Sequence, residues 1–188
     1  MTNTVSLLMP PTPSIAAFNQ WLLAEKPDTT AACAIVLHAS SDALDGELHQ
    51  SIASYLNEYD EAADGRWLAV EGNLVQTIAS DARIRRLLNI PEPAATDPAI
   101  TPCSMKNTLR ALAQRGHVVL DTPLASAATH NLPNTFHVAV GFPADGLSDC
   151  HMILNPDRFQ HRCLPQIIGD TFLEWLNCRM RPERLRST

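Results

Sequence analysis

Apolar positions along this chain recur at two spacings, and the spacings divide it into elements. Residues 14–25, SIAAFNQWLLAE, place Ile15, Phe18, Trp21 and Leu22 on one stripe. That spacing predicts an amphipathic helix with Pro13 or Ser14 near its start. The run from Cys33 to His38 predicts a buried strand. Residues 42–59 repeat Leu44, Leu48, Ile52, Tyr55 and Tyr59 at three and four, so a second helix follows, with Ser41 or Asp42 able to cap it. Asp64-Gly65 breaks the chain before a second strand at 66–71. Residues 73–88 are helical, with a fresh cap available at Ser80-Asp81.

"NIPEPAATDPAITP" then carries Pro91, Pro93, Pro98 and Pro102, which excludes a continuing helix and makes a poor central strand. A helix capped by Ser104 runs to Arg115, with Gly116 as its expected C′ residue. His117–Leu120 is a third strand. Residues 123–134 are small and polar. Thr135–Val140 and Cys150–Leu154 read as strands, and "GFPADGLSD" between them suits a hairpin. The last helix carries Leu164, Ile168, Phe172, Trp175 and Leu176, with Pro165 in its first turn. These elements predict one α/β domain over 1–188, a mixed sheet of about five strands flanked by helices.

Charge changes the functional picture more than the fold. The 188 residues carry 14 basic and 20 acidic side chains, a net charge of −6. Residues 1–80 hold ten acidic residues, and only Lys26 and Arg66 oppose them. A nucleic-acid partner is therefore disfavoured, because phosphate neutralisation needs a basic face. Arg179, Arg181, Arg184 and Arg186 give residues 179–188 the character of a basic tail, and Arg83, Arg85 and Arg86 read as a solvated helix face. The five cysteines are irregularly spaced without C-x-x-C, and no apolar run reaches membrane-spanning length, so a cytoplasmic protein with reduced thiols is expected.

The order helix, strand, helix, strand, helix, then strand–turn–strand–helix resembles the thioredoxin fold, and Pro133 in "NLPNTFHVAV" stands where that family carries a proline before its hairpin. The resemblance covers residues 14–89 and 131–178 and makes 90–130 an insertion. It implies that His38, Ser40, Ser41 and Pro133 meet at one binding edge. It also implies a redox-inactive protein, because His38-Ala39-Ser40-Ser41 offers no thiolate at the redox position. A doubly wound sheet with His117–Leu120 at its centre is the rival arrangement.

Candidate chemistry is sparse. Asp121 ends "HVVLD" as the acidic strand of P-loop enzymes does, but no G-x-x-x-x-G-K-[ST] or G-x-G-x-x-G accompanies it, so a turn before Pro123 is its expected role. Cys103 precedes the Ser104 helix and suggests a nucleophile served by His117 or His137. Cys150 with His151 offers another such pairing. Cys150, His151, His161 and Cys163 are a candidate zinc set, though neighbours on a strand point to opposite faces. The balance favours a non-enzymatic accessory, adaptor or assembly-chaperone protein without cofactor, acting on a protein partner or by self-association. A Cys/His hydrolase or transferase and a structural zinc protein are the alternatives.

Overall fold

The computed structural model describes residues 12–24, 32–40, 47–59, 67–92, 102–121, 124, 132, 134–142, 149–159 and 163–184. Its strands are β1 (Ala34–Ala39), β2 (Trp67–Val70), β3 (His117–Leu120), β4 (Thr135–Val140) and β5 (Met152–Leu154). Its helices are α1 (Pro13–Leu23), α2 (Leu48–Tyr59), α3 (Gly72–Ser80), α4 (Ala82–Leu87), α5 (Pro102–Arg115) and α6 (Leu164–Arg184), with a 3₁₀ turn at Pro156–Arg158.

The strands form one sheet in the order β2-β3-β1-β4-β5, and every neighbouring pair is parallel. The α/β class with five strands and flanking helices is as expected, but the sheet is parallel where a mixed one was expected. The hairpin over 135–154 is not formed. Val138 pairs with Met152 and Val140 with Leu154 in parallel register, so β5 runs in the same direction as β4. Gly, Pro and Asp serve a crossover loop as well as a tight turn, which is why "GFPADGLSD" did not distinguish the two. The segment expected as an insertion contributes β3, which lies between β2 and β1. The doubly wound arrangement is the one present.

Period-two alternation sorts side chains between the two faces. Ala34, Val36, Leu68, Val70, Val118 and Leu120 pack with Phe18 and Trp21 of α1 and with the apolar residues of α3, α4 and α5. Ile35, Leu37, Trp67, Val119, Phe136 and Val138 pack with Ile52 and Leu56 of α2 and with Ile168 and Phe172 of α6. The break at Ser80-Asp81 is real. Asp81 caps α4, its Oδ1 accepting from Arg83 N at 2.8 Å and Ile84 N at 3.2 Å.

Two glycines are fixed by close approach. Gly116 does not adopt the left-handed conformation expected of a C′ residue. Instead a Cβ there would come within 2.9 Å of the Trp21 ring. At Gly169 the same atom would meet the Tyr55 ring at 2.5 Å. Gly116→Val is therefore expected to cost about 1–3 kcal/mol by overpacking the buried Trp21 site, read as a lower urea midpoint at unchanged m-value.

The basic segment from Arg179 is not a tail throughout, because α6 continues to Arg184. The Arg179 guanidinium lies 4.9 Å from the centre of the Trp175 ring, a cation–π contact that orders it.

Candidate functional site

In a parallel α/β sheet, ligands bind beyond the carboxyl ends of the strands, where connections leave neighbouring strands toward opposite faces. β1 and β3 meet that condition. The chain leaves β1 toward α2, which packs in the core containing Ile52 and Leu56. It leaves β3 toward Leu124, which packs in the opposite core. Asp121 stands at the end of β3 and His49 in the first turn of α2. Glu71 follows β2 and caps α3 without a side-chain hydrogen bond to it. Its Oε1 accepts from Ser14 Oγ at 2.8 Å, which ties the start of α1 to the same edge. A Cβ on the next residue, Gly72, would meet nothing within 4 Å.

Four buried side-chain atoms among the described residues make no hydrogen bond: Asn19 Oδ1, His49 Nε2, Arg85 Nε and Asp121 Oδ1. Two of the four, on His49 and Asp121, belong to groups that sense each other's charge. His49 is only 3% exposed. Burial pushes its imidazole below the ordinary value, and Asp121, Glu71 and Glu47 act against that. Burial pushes the Asp121 carboxyl up, while His49 and the Leu124 N–H pull it down and Glu71 adds to the rise. An unpaired buried polar atom costs about 1–3 kcal/mol. Two such atoms, on side chains that sense each other's charge, single out this edge as the candidate site.

Sequence reasoning missed His49. The α2 stripe of Leu48, Ile52, Tyr55 and Tyr59 passes it by, but the buried positions are Leu48, His49, Ile52, Ala53 and Leu56, with Tyr59 60% exposed. The available signal was a histidine one residue after a core leucine, in the first turn after a β-strand connection. Asp121 was assigned a turn, and its carbonyl does accept from Leu124 N at 3.1 Å. The same N–H acts on the carboxylate, and Oδ1 is the oxygen left without a partner.

A second cluster crosses the other half of the sheet. His38 Nε2 and His137 Nδ1 share a hydrogen bond of 3.1 Å between β1 and β4. His151 Nδ1 accepts from His137 N at 3.0 Å, while His137 O accepts from His151 N at 2.9 Å. The His137 and His151 rings stack at 5.8 Å, and His151 also meets Phe136 and Trp175. His137 lies on β4 and His151 just before the parallel β5, and His38 on β1 completes the row.

The remaining candidates do not converge. Cys103 lies in the first turn of α5 and His117 just beyond its other end, about 20 Å away at 1.5 Å per residue. His117 is 5% exposed, stacks on Trp67 at 4.9 Å and accepts from Cys33 N through Nδ1 at 3.1 Å. It is a structural residue at the amino edge. Burial, with Asp149 adding, pushes the Cys150 thiol up, opposite to what a nucleophile needs. His161 lies outside the described residues, and among those described no three His, Cys, Asp or Glu residues are placed to hold a metal ion. The zinc set Cys150, His151, His161 and Cys163 is thus not assembled among the described residues. His38 and Ser40 lie at the carboxyl end of β1, whereas Thr135, the first residue of β4, pairs with Ala34 at its amino end. Ser41 and Pro133 lie outside the described residues.

No described helix is long and apolar enough to cross a membrane. Comparison with protein-family models, curated proteins and solved structures returned no match. The fold and site define a doubly wound parallel α/β protein with a polar pair at its switch point.

Proposed function

We propose that this chain is a non-enzymatic accessory or adaptor protein whose working surface is the carboxyl edge of the sheet, with His49 and Asp121 as the polar contacts for what it binds. The observation that carries the reading is the pair of buried, unpartnered atoms, His49 Nε2 and Asp121 Oδ1, at the β1/β3 switch point. The separation of Cys103 from His117 and the raised Cys150 thiol support binding over Cys/His catalysis. The proposed setting is cytoplasmic, in keeping with the irregular cysteine spacing.

A group held in reserve for a partner destabilises the unliganded protein. His49→Leu is accordingly expected to raise the unfolding free energy by about 1–2 kcal/mol, by removing an unsatisfied buried nitrogen at similar volume. Urea unfolding of the two proteins in buffer alone measures this. A loss of stability of that size would mean that the ring is already satisfied within the protein, and the reading fails.

A further inference from the structure

The ligand class follows from what the edge lacks. His49 Nε2 and Asp121 Oδ1 are both buried, and neither finds a partner within hydrogen-bonding distance, so they do not bond each other. A group that satisfies both must therefore fit between them. A carboxylate oxygen only accepts, and Nε2, taken with the ring proton on Nδ1, accepts as well. The bridging group must then be a donor with at least two hydrogens to give.

Charge narrows the choice. Glu71 and Glu47 add to the negative field felt at His49, and Ser14 occupies only one oxygen of Glu71. The only basic residues among the first 80 are Lys26 and Arg66, against ten acidic ones. An anion would face three carboxylates across a desolvated edge. A divalent metal would want a fuller ligand set, and no group of three metal-ligating residues is assembled among those described. A primary ammonium carries one positive charge and three N–H donors on a compact head. It can donate to Asp121 and His49 together and keep a third hydrogen for water, while Glu71 adds its charge.

We infer that the His49–Asp121 pair, with Glu71 beside it, is a binding site for a primary ammonium group, supplied by a small alkylamine or by a lysine side chain of a protein partner. The inference rests on the reading of this edge as the working surface, and it adds the chemistry that the edge selects. The first source makes the protein an amine binder. The second makes the same pair of residues the lysine-reading part of an adaptor.

The test follows the His49 ring resonances of the full-length protein by NMR at constant ionic strength. The probes are 1,4-diaminobutane, the lysine surrogate N-acetyl-lysine methylamide, tetramethylammonium, magnesium chloride, inorganic phosphate and glycerol. Saturable shifts of the His49 ring with either primary amine are expected, and none with tetramethylammonium, which has the charge but no N–H. Diaminobutane alone would identify a free amine as the source, and the lysine surrogate alone a partner's side chain. Asp121→Asn is expected to weaken the amine response about tenfold or more, the loss of one charge-assisted hydrogen bond. Glu71→Gln, which keeps an oxygen for Ser14, is expected to weaken it several-fold, so the inference stays testable if the first variant folds poorly. Equal amine responses in wild type and both variants would overturn it, as would no amine response, or a response to tetramethylammonium or magnesium of the same size. A shift with phosphate or glycerol and none with amines would overturn the ammonium assignment while leaving the edge as a binding surface. The stability of His49→Leu reports on that surface alone, so the two failures are separable.

Discussion

Phe172→Ala is expected to lower the unfolding free energy by about 3–5 kcal/mol, the cost of emptying a large buried aromatic site. Phe172 is fully buried on α6, in the core between that helix, α2 and the sheet. Its ring meets Trp67 of β2 edge-on at 5.2 Å and Phe136 of β4 at 5.7 Å, with Trp175 at 5.9 Å. Those three rings are themselves anchored, Trp67 by stacking on His117 and Phe136 by Trp175. They cannot collapse into the space left behind, so both transfer and cavity costs apply. For a chain of this size the melting temperature should fall by roughly 6–20 °C. Urea and thermal unfolding measure both quantities. A loss below about 1 kcal/mol would mean that α6 does not dock on this face through Phe172.

The second large effect is a loss of stability on mild acidification, centred on His38 and His137. Burial pushes both rings below the ordinary value of 6.5. For His137, repulsion from His38 and His151 adds to the fall, and Asp149 opposes it. For His151, burial acts first and Arg179 second. The geometry gives the same sign. The 3.1 Å bond between His38 and His137 needs one nitrogen to donate and the other to accept, and two doubly protonated rings have no acceptor to offer.

Each depressed histidine takes up its proton more readily in the unfolded chain. Its contribution is therefore present above pH 6.5 and is lost as pH falls from there toward its folded value. The slope is at most about 1.4 kcal/mol per pH unit for each ring. His151 is exposed and contributes least, because water screens it. His49 shifts in the same direction, whereas the raised Asp121 carboxyl favours the folded state as acid protonates it. The His38→Gln, His137→Gln double variant keeps hydrogen-bonding side chains without the titration. Its melting temperature should fall less than that of the wild type between pH 7.5 and 5.5. Parallel curves for the two proteins would remove the histidine row as the source of acid sensitivity.

Both effects rest on contacts across the sheet, and the sequence showed these unevenly. His117–Leu120 and Thr135–Val140 were readable to the residue, because each is a short apolar run bounded by turn residues. Asp81 was readable as a cap because a short acidic side chain at a break in the helical spacing has a local job, which needs no tertiary partner. The same local logic gave Phe18, Trp21, Ile168 and Phe172 as buried. It failed at Tyr59, which repeats with the stripe but is the last residue of α2 and 60% exposed.

The amino-acid sequence by itself determined which stretches become helix or strand and which side of each is apolar, because propensity, capping and periodicity act over a few neighbouring residues. Tertiary structure alone decided that β5 runs parallel to β4, that β3 lies between β1 and β2, and that His49, Asp121 and Glu71 share one edge. Those three residues arrive from three different connections. Their meeting depends on strand order, which long-range packing selects and no local pattern encodes.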